Sequence, residues 1–221
     1  MKELKKIKYW IFDLDNTLYS GDTKVFDQVD KKMSKFISEK LNVSIDKAKK
    51  IQKNYFHEYN TTLNGMIKNH EIDADEFLKF VHDVNLDFLK ADKPLEQEIT
   101  NLSGKKFIFT NGSKAHAANV TKRIGIEKLF DGVFDIVESD FIPKPSIEPY
   151  KKIIEKYKIE PQYSIFIEDI ARNLKPAHEL GMKTVWIKND EPWAAKFSDS
   201  DFINYKTDNL AKFLKEINEI K

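Results

Sequence analysis

The 221-residue chain contains no cysteine, which excludes disulfide scaffolds, thiol nucleophiles, iron–sulfur clusters and thiolate zinc sites together. Its chemistry must use oxygen and nitrogen groups. An excess of charge is missing too: 37 Lys and Arg stand against 36 Asp and Glu, a formal net charge of +1, so no overall field would hold the chain on a nucleic-acid polymer or an anionic membrane. Long apolar runs are also absent. Nothing approaches the roughly 20 residues a spanning helix needs. The lysine-rich start, Met1 to Lys8, is followed by only Tyr9-Trp10-Ile11-Phe12 before Asp13, which fits neither a signal peptide nor a membrane anchor. A cytoplasmic location is the expectation.

What is present is globular. The hydrophobic share is 41%, with 16 Phe, 8 Tyr and 3 Trp, enough to bury a substantial core. The length suggests one large domain, or a core carrying a smaller insertion.

Short apolar runs at Tyr9–Leu14, Lys106–Thr110, Gly132–Val137, Ser164–Ile167 and Lys183–Ile187 read as strands buried on both faces. Helical patterns separate them: Ser113 to Ile124 with Gly125 as a stop, Pro149 to Tyr157 closed by Pro161, and about Asn173 to Leu180 before Gly181. A last helix spans Asp208 to Ile220. This alternation predicts a doubly wound, Rossmann-like parallel α/β sheet with its functional groups at the carboxyl ends of the strands. Between Ser20 and Pro94 no strand is evident. Val25, Val29, Met33, Phe36, Ile37 and Leu41 form one helical stripe, Ser44 could cap a helix through Tyr59, and Asp73 with Glu76 resembles a capping box before Phe77, Phe80, Val81 and Val84. The expected division is therefore an α/β core of residues 1–19 and 95–221 with a helical insertion at 20–94.

The chemistry concentrates at the strand ends. Asp13 and Asp15 follow the first apolar run, where strand alternation would point both to one side. Two carboxylates this close need a cation between them or a proton on one. The second run ends in Thr110-Asn111-Gly112-Ser113, a hydroxyl, an amide and a glycine turn leading into a helix start, which is a natural phosphate cradle. The fourth ends in Glu168-Asp169, a second acidic pair delivered to the same edge. Hard oxygen ligands without cysteine favour Mg²⁺ over zinc. Lys144 stands between Pro143 and Pro145, which stiffen the backbone around its ammonium. The five histidines, His57, His70, His82, His116 and His178, show no metal-ligand spacing and read as structural or exposed.

In order, Phe12-Asp13-Leu14-Asp15-Asn16-Thr17-Leu18-Tyr19, Thr110-Asn111-Gly112, Lys144 and Glu168-Asp169 resemble the four motifs of the haloacid dehalogenase superfamily. The helical insertion sits where many members carry a substrate-covering cap. Phe130 to Ile136, Asn111 to His116 and Val81-His82-Asp83 look like the pyrimidine 5′-nucleotidase branch. The resemblance implies that Asp13 attacks phosphorus and becomes a transient aspartyl phosphate, with Asp15 as acid and then base. Leu14, Asp15, Thr110, Asn111, Gly112 and Lys144 would surround the phosphate. Asp13, the Asp15 carbonyl, Glu168 and Asp169 would surround Mg²⁺ directly or through water. Some relatives carry an aspartate a few residues beyond the fourth motif's acidic pair, where this chain has Asn173.

The expected reaction is hydrolysis of small phosphate monoesters, nucleoside 5′-monophosphates with pyrimidine forms preferred. Asp15 argues against a dehalogenase, which needs no group to protonate an alkoxide. A phosphomutase, a sugar-phosphate or phosphoglycolate phosphatase, and a non-catalytic phosphate-binding module remain as alternatives. Tyr19, Phe56, Tyr59, His70 and His82 are the candidate substrate-facing residues.

Overall fold

The computed structural model describes residues 2–220. Six parallel strands, β1 (Tyr9–Phe12), β2 (Lys105–Phe109), β3 (Gly132–Phe134), β4 (Ser164–Glu168), β5 (Lys183–Ile187) and β6 (Tyr205–Thr207), form one sheet in the order β3-β2-β1-β4-β5-β6. The period-two alternation of strand side chains explains how this sheet is covered twice. Trp10, Phe12, Ile108, Ile165, Ile167, Val185 and Ile187 point to one core, and Ile11, Phe107, Phe109, Phe166 and Trp186 to the other. The first core is closed by helices α5 (Lys93–Asn101), α6 (Lys114–Ile124) and α10 (Leu210–Asn218); the second by α7 (Ile147–Tyr157) and α8 (Leu174–Glu179).

Between β1 and β2 the chain leaves the sheet and forms α1 (Val25–Leu41), α2 (Ile45–Tyr59), α3 (Thr62–His70) and α4 (Ala74–Val81). These share a separate apolar cluster around Phe36, Ile37, Met66 and Phe77, joined by Ile136 from the sheet side. Phe36 meets the edges of Phe77 at 5.0 Å and Phe80 at 5.5 Å, a geometry that adds to simple area burial. Local signals set the helix ends. Ser44 accepts from the Lys47 amide, Asp73 from those of Asp75 and Glu76, and Ser113 from that of His116, each satisfying an orphan donor of a first turn.

The structure differs from the sequence reading in particular places. β1 ends at Phe12, so Asp13 and Asp15 stand in the turn after the strand and not on its alternating face. β3 stops at Phe134, before the predicted Val137. The helices α3 and α5 escape an apolar-stripe search because α3 is short and interrupted by Gly65, while α5 starts at a capping Asp92 and carries Pro94 in its first turn. A short helix α9 (Pro192–Ala195) and the three-residue edge strand β6, half-buried at most, are equally faint in sequence. Gly65 itself is required by packing, since a Cβ there would lie 2.3 Å from the Tyr55 ring.

Candidate active site

The carboxyl end of the sheet collects the predicted strand-end residues. After Phe12, Asp13 stays registered to the sheet through its amide, which donates to the Ile167 carbonyl at 2.9 Å. The chain then turns: Thr17 and Leu18 both donate to the Leu14 carbonyl, and Asn16 adopts φ 60°. Leu14 is fully buried in the sheet core, so only its backbone can face a ligand. This anchoring turn leaves Asp13 and Asp15 pointing into different surroundings.

Asp13 faces the charged floor. The Lys144 ammonium, only 2% exposed as a residue, donates to Asp13 Oδ1 at 2.7 Å, Glu168 Oε2 at 2.6 Å and the Phe109 carbonyl at 2.9 Å. It also lies 5.0 Å and 5.3 Å from the ring centres of Phe109 and Phe166, within cation–π range. The Lys144 backbone is fixed by Asn111, whose Oδ1 accepts from the Lys144 amide at 2.9 Å. Asp169 accepts from Asn189 at 2.7 Å, and its carbonyl accepts from Trp186 Nε1. Burial and the Glu168 charge push Asp13 up to about 7 against the pull of Lys144. Burial, Glu168 and Asp13 hold Asp169 well above the usual carboxylate range. Burial works to lower Lys144, yet its two carboxylate partners keep it above its ordinary value.

These groups fit a divalent cation. Asp13, Glu168 and Asp169 each present a carboxylate oxygen, all within 4.8 Å of one another and all buried. One ammonium cannot offset three buried carboxylates, so the floor is short of positive charge. An all-oxygen donor set of this kind suits Mg²⁺.

Asp15 has a different shell. Its Oδ1 accepts from the Tyr19 hydroxyl at 2.5 Å and lies 2.9 Å from His116 Nε2. Burial would raise Asp15, but the His116 charge, its hydrogen bond and the Tyr19 hydroxyl hold it down at about 2. An ionised carboxylate is an acceptor only, so His116 Nε2 must carry the donated proton. His116 is 1% exposed and belongs to α6, where sequence spacing offers no hint of a role. Only its third position after the capping Ser113, on the helix that opens at the Thr110–Gly112 turn, places it near the strand ends.

Thr110, Asn111 and Gly112 complete the edge. Thr110 Oγ1 accepts from the Gly112 amide at 2.9 Å, closing the turn. A Cβ at Gly112 would lie 3.3 Å from Thr110 Oγ1, 3.5 Å from His82 Nε2 and 3.7 Å from Asp15 Oδ2, so side-chain absence keeps this corner open.

A cavity of about 350 Å³ runs from this floor to the helices α1–α4. Asp13, Asp15, Thr110, Asn111, Gly112, Lys144 and Glu168 line its base; Phe56 and His82 line it from the helical side. Tyr59 and His70, expected to face substrate, are instead engaged within the helices: the Tyr55 hydroxyl meets His70 Nε2 at 2.7 Å, and the Tyr59 ring packs on Tyr55. Tyr19 serves Asp15 rather than the cavity wall. Sequence reading missed Arg172 and Trp193, which also line the cavity and flank Phe56 at 4.8 Å and 5.2 Å. It missed Gln52 as well, a buried amide in α2 that donates to Asp30 Oδ1 at 2.6 Å while accepting from Ser34 at 2.5 Å. Asn173 is buried and lines the cavity with Oδ1 unpartnered. None of the described helices is long and apolar enough to cross a membrane.

A family model for haloacid dehalogenase-like hydrolases matches residues 7–181. "Phosphate metabolism protein 8" of Saccharomyces cerevisiae is 32% identical over 96% of this chain and 71% of its own length. The glyceraldehyde 3-phosphate phosphatase of Methanocaldococcus jannaschii is 24% identical over 97% of this chain and 99% of its own. Among solved structures, a phosphatase of the same family from Thermococcus onnurineus superposes with a TM-score of 0.63 at 20% identity, covering 96% of this chain and 98% of that one. A magnesium-bound hydrolase of Bacillus subtilis gives 0.60 at 17% identity, covering 97% and 99%.

Proposed function

Because the chain belongs to the haloacid dehalogenase-like hydrolases, we propose that it is a Mg²⁺-dependent phosphatase of small monoesters, with pyrimidine nucleoside 5′-monophosphates as preferred substrates. The observation that carries this reading is the unlike pair at one cavity base: Asp13 beside Lys144 and the acidic floor, Asp15 apart from them with its own donors. One carboxylate is poised to attack and the other to handle a proton.

In the first step an Asp13 oxygen forms a bond to phosphorus as the ester P–O bond breaks, and Asp15 gives its proton to the leaving oxygen. In the second, water attacks the aspartyl phosphate, Asp15 takes the water proton, and the Asp13–phosphorus bond breaks to release phosphate. Beside His116 and Tyr19, Asp15 is ionised; an arriving phosphate dianion raises its proton affinity by like-charge repulsion, and it takes up the proton it later gives from solvent. Thr110, Asn111 and the backbone around Leu14 and Gly112 hold phosphate oxygens, and Lys144 offsets their charge. Asp13, Glu168, Asp169 and the Asp15 carbonyl would hold Mg²⁺ directly or through water, and the ion would supply charge neutralisation at the phosphoryl group.

Residues 20–94 act as a cap over this base, excluding water and reading the non-phosphate part of the substrate. The cavity volume and the aromatic pair Phe56–Trp193 suit a flat base better than a triose. The archaeal relative's name favours a second reading, a triose-phosphate phosphatase. Phosphate release from UMP, CMP, glyceraldehyde 3-phosphate, sugar phosphates and phosphoglycolate with Mg²⁺ separates the two. The expected result is a higher kcat/KM for UMP or CMP, lost by about 10⁴-fold in Asp13→Asn. Equal turnover of simple sugar phosphates would remove the nucleotide preference. Isomerised sugar phosphate without free phosphate would replace the hydrolase by a mutase.

A further inference from the structure

Asp15 is held by a chain of contacts that begins in the helical unit. His82 follows the last residue of α4, Val81, and its ring lies flat on that of His116, with centroids 4.4 Å apart and planes 12° from parallel. His82 Nδ1 meets Ser113 Oγ at 3.0 Å, and the same hydroxyl accepts from the His116 amide at 3.2 Å. His116 then reaches Asp15 Oδ1 at 2.9 Å. The carboxylate, two imidazoles and a helix-capping serine thus form one connected group, with three members from the sheet edge and one, His82, from the helical unit.

We propose that the stacked His82–His116 pair positions the Asp15 carboxyl for proton transfer, so that the acid acquires its working geometry only when the helical unit is seated on the sheet edge. This rests on the phosphatase reading above. A carboxyl group without a fixed partner samples several rotamers, whereas a donor at 2.9 Å from a ring that is itself fixed admits one. Two parallel rings in contact are favourable when at most one is charged. Burial and the neighbouring His116 hold His82 down at about 3, so it is neutral when it covers His116. Because His82 also lines the cavity, its seating registers the position of the helices that would close over substrate. His82 and His116 are positioning residues here, acting through Asp15.

The decisive readout is leaving-group dependence. kcat/KM reports steps through the first irreversible one, in which Asp15 protonates the leaving oxygen. An alkyl phosphate needs that proton; p-nitrophenyl phosphate, with its stable phenolate, does not. His116→Leu is expected to lower kcat/KM about 100-fold on the alkyl ester and less than about 10-fold on the aryl ester, at the lower end of general-acid effects. His116→Gln, which keeps a donor, should recover part of the alkyl activity. His82→Leu should show the same ester bias, about 10-fold, although it never touches Asp15. Equal losses on both esters in folded His82→Leu and His116→Gln, or no loss in His82→Leu, would overturn the proposal even if the buried His116→Leu fails to fold. No turnover of either ester by the unaltered protein would instead sink the phosphatase reading itself.

Discussion

The sheet edge draws four ionisable side chains, Asp13, Lys144, Glu168 and Asp169, out of water into mutual contact. The helical wall of the same cavity mixes apolar residues such as Val29, Phe56 and Phe77 with polar ones, Asp30 and Lys53 among them, and its buried amide, Gln52, is neutral and bonded to Ser34 and Asp30. The two walls therefore respond differently to change. At the sheet edge each charge is balanced by its neighbours, and removing one leaves the others uncompensated. On the helical wall a single hydrogen-bonded amide can be lost at the cost of its own partners only.

Lys144→Met tests the first half of that contrast most severely. Taking one partner from a buried ion cluster costs about 3–5 kcal/mol, so urea unfolding of the metal-free variant should show a loss of that size. Mg²⁺ should return part of it by binding the folded state alone. A loss below about 1 kcal/mol would mean that protonation of Asp13 or Asp169 already relieves the cluster.

Gln52→Leu probes the other wall. It leaves the buried Ser34 hydroxyl only its 3.4 Å bond to the Asp30 carbonyl, while the exposed Asp30 carboxylate can turn to water, and about 1 kcal/mol should disappear from the unfolding free energy. The fall in denaturation midpoint relative to the parent should be the same with and without Mg²⁺. A fall that changes in size with Mg²⁺ would join the two walls energetically and erase the contrast.

Near neutral pH the smallest expected effect sits where the walls meet. His82 falls from its ordinary 6.5 to about 3 on folding, so between those values the unfolded chain holds a proton that the folded one lacks. Stability contributed by this group is therefore full above pH 6.5 and declines as pH falls towards 3, with a slope of at most about 1.4 kcal/mol per unit. The raised Asp13 and Asp169 act with the opposite sign, so the difference between the parent and His82→Phe curves isolates the histidine. That difference should grow on acidification, and a flat one would place His82 in water.

Legibility in sequence follows the same division. The floor was readable because each of its parts ends a short apolar strand: Asp13 after Phe12, Thr110 after Phe109, and Glu168-Asp169 closing β4. A parallel sheet sends all such ends to one edge, so local pattern sufficed. Lys144 lies outside any strand, and the two flanking prolines marked it. The helical wall was not readable in this way. Phe56 and Tyr59 are three residues apart on α2, yet one meets Trp193 and Arg172 while the other turns to Tyr55. His70 and His82 diverge likewise. Which of them faces the cavity depends on how four helices settle on the sheet, a matter of tertiary packing that no spacing encodes. His116 was missed for a related reason, since its partner Asp15 lies 101 positions away.

The adjacency of β1 and β2 in the sheet has a consequence for what the chain can become. The four helices are a loop whose two ends are clamped side by side. The entropy lost on closing a flexible loop grows only logarithmically, about 0.6 kcal/mol for each doubling of its length. The segment between Ser20 and Pro94 can therefore be lengthened, shortened or exchanged for another fold with little effect on whether the two strands find each other.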